Sequence, residues 1–148
     1  MGKTLTPVEI AQAIQEIYAT LTVEKAREYI AEDFVINEAR SLPFGGEWRG
    51  PEGFVALMRA IPAAFPNFHF EPGPMVSDGH SMVVFSGTIS GDTPHGRFSQ
   101  PFLEYWICRD GKVVSALPVW HDTKAVMDLY NGVASPAASL TRHAEQPA

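Results

Sequence analysis

A chain of 148 residues with 45% hydrophobic and 19% charged side chains points to one packed domain rather than a disordered segment, burying roughly 68–70% of its unfolded surface. Its net charge of -6, with no cluster of Lys or Arg, argues against nucleic acid or an anionic membrane surface as partner. Cys108 is the only cysteine, which excludes an internal disulfide and a cysteine-based zinc site; with no apolar leader and no apolar run of about 18 residues, a soluble, cytoplasmic protein is expected.

Thr6, Pro7 and Glu9 read as a helix start, with Thr6 as the cap and Glu9 closing a capping box. Ile10, Ala13, Ile14, Ile17 and Leu21 follow at helical spacing, and a second helix opened by Thr22 is predicted over about 23–30. A short strand is predicted over 33–38, then a long loop, ARSLPFGGEWRG. The third helix starts at Pro51, places Phe54, Leu57, Met58 and Ile61 on one face, and is expected to end at Pro62 and Pro66. Strands are predicted over about 68–77, 81–91, 97–109 and 112–121. Asp122 and Thr123 cap a last helix to about Tyr130. The remainder reads as a flexible tail over 132–148, leaving 1–131 as the single domain. This order predicts an α+β fold: helices closing a curved, mainly antiparallel sheet into a cone around a small-molecule cavity.

Two carboxylates stand out because each lies in an apolar, strand-like run: Glu38 in VINEAR and Glu104 in PFLEYW. Burial disfavours the charged form, so a carboxyl facing a shared cavity gains proton affinity and becomes an acid or base near neutral pH. Strand alternation alone equally allows both to face solvent. The hairpin at Asp110-Gly111 bears on this. A two-residue turn aligns Glu104 with Leu117, Val119 and His121, whereas a three-residue loop with a left-handed Gly111 aligns it with Ala116, Pro118 and Trp120.

The stretches AEDFVINEA, SLPFGGEWRGPEGF, RDGKVVS and VWHDTKAVMDLY, in this order, resemble the SnoaL-like polyketide-cyclase and ketosteroid-isomerase superfamily over about 6–130. The resemblance implies the cone fold and a cofactor-independent isomerase, lyase or cyclase acting on a small apolar molecule. It places Glu38 at the general base, Glu104 at the protonated oxyanion-hole acid, and Tyr18 near the oxyanion-hole tyrosine. It also implies a pocket lined by Val83, Phe85, Phe102, Ala116, Pro118 and Trp120, with Phe54 and Met58 from the third helix, and so favours the bulged hairpin. Two positions depart from the pattern. Met58 stands near a supporting tyrosine of the isomerases, and Pro118 stands where cyclases and limonene-type epoxide hydrolases carry an acid.

The five histidines are scattered without metal-ligand spacing, so no metal is expected. His69, at a strand start, is weighed as a pocket residue against the favoured surface or edge position, and His121 points to the outer face in the favoured register. Trp48 and Arg49 are weighed as a lid against a loop tucked onto its own domain. In the favoured register Leu103, Tyr105, Ile107, Leu117 and Val119 share the outer face, an apolar patch that predicts a homodimer. A ligand-binding or assembly module of the same fold is the alternative to an enzyme.

Overall fold

In the computed structural model, which describes residues 2–134, Thr6 caps helix α1 (Pro7–Ile17) as its sequence predicts. The Glu9 amide donates to Thr6 Oγ1 at 3.3 Å and the Thr6 amide donates to the Glu9 carboxylate at 2.8 Å. This reciprocal box satisfies two amide groups that a helix start leaves without intrahelical partners. A 3-10 turn (Tyr18–Thr20) continues it, and α2 is a single turn, Val23–Ala26, rather than the longer helix expected to residue 30. The chain enters strand β1 (Ile30–Glu38) three residues sooner than the sequence suggested.

The long loop holds a short edge strand, β2 (Gly46–Arg49), antiparallel to β1. Helix α3 spans Gly50–Ala64 and runs through Pro62. A proline removes one amide and disturbs the carbonyl four residues back; this close to the C-terminus, one further bond from the Phe65 amide to the Ile61 carbonyl at 2.9 Å completes the last turn. Strands β3 (His69–Ser77), β4 (Met82–Thr93), β5 (Gly96–Arg109) and β6 (Lys112–Trp120) form the predicted meander. Asp122 caps α4 (Thr123–Tyr130), accepting from the Ala125 amide at 2.8 Å. From residue 135 the expected tail, with His143, lies outside the described residues.

The six strands make one curved sheet in the order β2-β1-β6-β5-β4-β3. Only β1 and β6 are parallel. Helices α1 and α3 pack on the concave face, giving the cone-shaped α+β fold.

The β5–β6 turn corrects the hairpin expectation. Asp110 and Gly111 are both left-handed, with φ of 53° and 76°, so this is a two-residue turn. Yet Glu104 still pairs with Pro118, Phe102 with Trp120 and Trp106 with Ala116. The register shifts further along, where Ile107 faces Ser115 and Cys108 faces Val113, leaving Val114 as the extra residue of a bulge inside β6. The favoured register is therefore correct, but the slip that creates it sits in the strand and not in the turn.

Phe65, fully buried just past α3, packs edge-on or tilted against Phe44, Phe98, Trp120 and Tyr130 at 5.0–6.1 Å. Phe65→Ala is expected to cost about 3–5 kcal/mol in urea unfolding, since it removes a fully buried ring together with its aromatic contacts.

Candidate functional site

Adjacent strands carry the two carboxyls into one row of the concave face. The parallel pair Ile36 and Ala116, continued by two residues, sets Glu38 beside Pro118, and Pro118 pairs with Glu104, which pairs with Phe85. Glu38 and Glu104 thus stand two strand spacings apart, roughly 10 Å between backbones, with a proline between them. Both side chains open into one cavity of about 370 Å³, bounded on the other side by α1, the 3-10 turn and α3.

Each carboxyl accepts one indole N–H. Trp120 Nε1 donates to Glu38 Oε2 at 3.2 Å, and Trp106 Nε1 donates to Glu104 Oε1 at 2.9 Å. Both indoles are held by neighbouring rings: Trp106 stands edge-on to Phe85 at 5.0 Å, and Trp120 touches Phe44, Phe65, Phe68, Phe98 and Phe102. Burial pushes the Glu38 carboxyl up to about 8, helped by the nearby Glu104 charge and opposed by the Trp120 bond. Burial likewise raises Glu104 to about 7, against the pull of the Trp106 bond. Both carboxyls therefore hold their protons to far higher pH than an ordinary glutamate, and Glu104 is the first of the two to ionise.

The cavity wall brings together Glu38, Glu104, Tyr18, Phe54, Met58, Phe85, Phe102 and Trp120. Three residues assigned to the lining are placed elsewhere. Val83 and Ala116 flank Trp106 in the next row and are both buried, but of the three only Trp106 reaches the cavity wall. Pro118 borders a second, more open cavity with Asn37, Arg40, Gly46 and Glu47. His69 keeps the expected edge position, at the start of the edge strand β3 with its side chain 62% exposed and 3.1 Å from Glu71, and from there it reaches the rim of the cavity wall. His121 is exposed. Trp48 donates to the Phe44 carbonyl at 2.9 Å, so the loop tucks back on its own domain.

Sequence reasoning missed Trp106, Phe68, Phe70 and Gln15 on this wall. For Trp106 the signal was present, since it follows Glu104 by two residues on one strand and so shares its face. Phe70 depends on Gly87 across the β3–β4 ladder, where a Cβ would come within 2.3 Å of its ring. That contact is invisible until the register is known. Tyr18 lies at the rim, 45% exposed, with burial of its hydroxyl end raising its pKa.

A six-stranded curved sheet closed by helices into a cone is the NTF2-like fold. The solved structures similar to this chain carry the same fold. An NTF2-like protein from Burkholderia xenovorans LB400 is 20% identical over 87% of this chain and 100% of its own, with a TM-score of 0.74. TerC, crystallised with polyporic acid, is 22% identical over 82% and 98%, at 0.67. IdmH from Streptomyces antibioticus, a candidate polyketide cyclase, is 23% identical over 83% and 97%, at 0.64. The SnoaL-like domain model matches residues 11–116, and the chain belongs to that family. A search of curated proteins finds no significant match.

Proposed function

We propose that this protein is an acid–base enzyme for a small, apolar, carbonyl-containing or cyclic molecule, catalysing isomerisation, dehydration or aldol-type cyclisation. The observation that carries the reading is that Glu38 and Glu104, both held well above the ordinary glutamate value by burial, open on one aromatic cavity. The carboxylate takes a proton from a carbon beside the carbonyl, and the carboxylic acid donates to the oxygen as charge develops there. Tyr18 meets the outer end of the bound molecule, while Phe54, Met58, Phe85, Phe102 and Trp120 hold its apolar body and exclude water. Membership of the SnoaL-like family and the polyporic acid bound to TerC support a small-molecule substrate. With Pro118 unable to exchange a proton, all proton transfer at the cavity floor falls to the two glutamates. The working form is a cytoplasmic homodimer, a reading supported by the apolar outer face of the sheet and by its single, reduced cysteine.

Exchange of the carbonyl-adjacent protons of 2-tetralone in heavy water, followed by proton NMR at pH 7.5, tests the chemistry without knowledge of the natural substrate. The protein is expected to accelerate exchange, and Glu38→Gln and Glu104→Gln are each expected to slow it by about 100-fold or more. Binding of the ketone with no acceleration over buffer would instead identify a non-catalytic binding module.

A further inference from the structure

The resemblance to ketosteroid isomerases makes Glu38 the base and Glu104 the acid, but the side chains around each carboxyl support the opposite division. We propose that Glu104, positioned by Trp106, is the general base of this site and that Glu38 is the general acid. The inference rests on the acid–base reading of the cavity and assigns its two halves.

Three observations carry it. First, Trp106 shares a strand face with Glu104 and donates to it at 2.9 Å, with its ring fixed edge-on by Phe85 at 5.0 Å. A donor locked onto a carboxyl oxygen stabilises the anion, which suits a base and works against an acid that must stay protonated. Second, Glu38 is buried, 6% exposed, and its one donor, Trp120, is longer at 3.2 Å. Enclosure with weaker hydrogen bonding favours the neutral form. Third, Tyr18, which would join Glu104 in an isomerase oxyanion hole, sits at the rim and makes no hydrogen bond to either carboxyl among the described residues. The ordering of proton affinity agrees: Glu104 ionises first, and its charge then helps Glu38 keep its proton. Among the described residues, the other titratable side chains on the wall are Tyr18, from the 3-10 turn, and His69, from β3 beside Glu71. The residues supplied by α1, α3, β4 and β6 are uncharged.

The proton transfers balance within the pair. Glu104 takes a proton from the carbon beside the carbonyl, the C–H electron pair becomes a C=C bond, and the carbonyl π pair moves onto oxygen. Oxygen is met by the Glu38 proton, so the site then holds neutral Glu104 and a Glu38 carboxyl sharing its proton with an enol oxygen. Glu104 returns its proton to carbon in the product-forming step, and Glu38 recovers its own.

Like-charge coupling gives this assignment a signature that a merely structural pair lacks. Each full-length protein, labelled with 13C at the glutamate carboxyls, is titrated by NMR from pH 5 to 10. In the wild type Glu104 ionises while Glu38 is neutral, so Glu38→Gln is expected to move the Glu104 midpoint by less than about 0.3 units. Glu38 ionises beside a charged Glu104, so Glu104→Gln is expected to lower the Glu38 midpoint by about one unit. Trp106→Phe removes the donor and is expected to raise the Glu104 midpoint by about half a unit or more. The reverse asymmetry, equal shifts, or a Glu104 midpoint indifferent to Trp106→Phe would each overturn the assignment. Should Glu104→Gln fail to fold, the Glu38→Gln and Trp106→Phe titrations decide it. Both carboxyls titrating near the ordinary glutamate value would instead sink the acid–base reading on which the assignment rests.

Discussion

Glu38→Gln is expected to make the fold more stable than the wild type at pH 9, by about 2–4 kcal/mol, while leaving it nearly unchanged at pH 5. Glutamine keeps the shape and can still accept from the Trp120 indole, so the difference isolates the charge. An ordinary glutamate ionises near 4.5, whereas Glu38 in the fold holds its proton to about 8. Between those values the native state binds more protons than the unfolded chain, so wild-type stability falls as pH rises and levels off above about 8. Each unit of difference is worth about 1.4 kcal/mol, which bounds the loss at roughly 5 kcal/mol; water entry and relaxation reduce it. Glu104, raised to about 7, adds a loss of the same sign over a lower window. The acid side runs the other way. Glu9 is held down to about 2 by Lys3 and by the Thr6 cap, and Asp33 and Asp92 are lowered by hydrogen bonds to Arg109 and Asn67. Their contribution is present above their unfolded values and is lost as pH falls. Stability is therefore expected to peak near pH 5, and urea unfolding of both proteins at pH 5, 7 and 9 checks it. Parallel pH curves for wild type and Glu38→Gln would show that Glu38 is charged in the fold.

The features legible in the sequence were those set by neighbours in the chain. The Thr6 and Asp122 caps, the α3 face of Phe54 and Met58, and the alternation that sets Glu104 on the same strand face as Phe102 and Trp106 all depend on residues a few positions apart. The inward direction of that face came only from the family resemblance. What stayed hidden depends on partners distant in sequence. Strand β2 is four residues of a loop that becomes a strand only because β1 offers it an edge. The Val114 bulge has no turn residue to mark it, so the register was reached through resemblance and the turn type was misjudged. Val83 and Ala116 pair with Trp106 on either side, yet of the three only Trp106 reaches the wall of the carboxyl cavity. A shared face, which alternation supplies, is not access to the cavity.

Leu117→Glu is expected to convert a homodimer into a monomer, dropping the mass seen by light scattering at micromolar concentration to the chain value of 16.2 kDa. The outer face carries Leu103, Leu117 and Val119 at 48% exposure each and Tyr105 at 37%. The ladder shows that this patch is wider than the five residues expected from β5 and β6. Leu117 pairs with Tyr105, Tyr105 with Val84, and Val84 with Val76, which is itself 70% exposed, so one apolar row crosses four strands. Ile107, counted in the patch from sequence, is half-buried at its edge, beside Ser115 and Met82. Helices α1 and α3 are committed to the concave face, leaving this row for another surface. In the proposed homodimer a second copy would supply a matching one, because a two-fold axis through the row would set apolar against apolar across the patch. Although it ends the row, Leu117 lies where the exposed apolar side chains are densest, across from Tyr105 and beside Val119 and Leu103. A glutamate there would bury a charge without a partner, a penalty of several kcal/mol on association that a substitution at the sparser β3 end does not incur. Val76→Glu, at the far end of the row, is therefore expected to weaken the dimer far less than Leu117→Glu. A wild-type protein that scatters as a 16.2 kDa monomer would show that this face serves some surface other than its own copy.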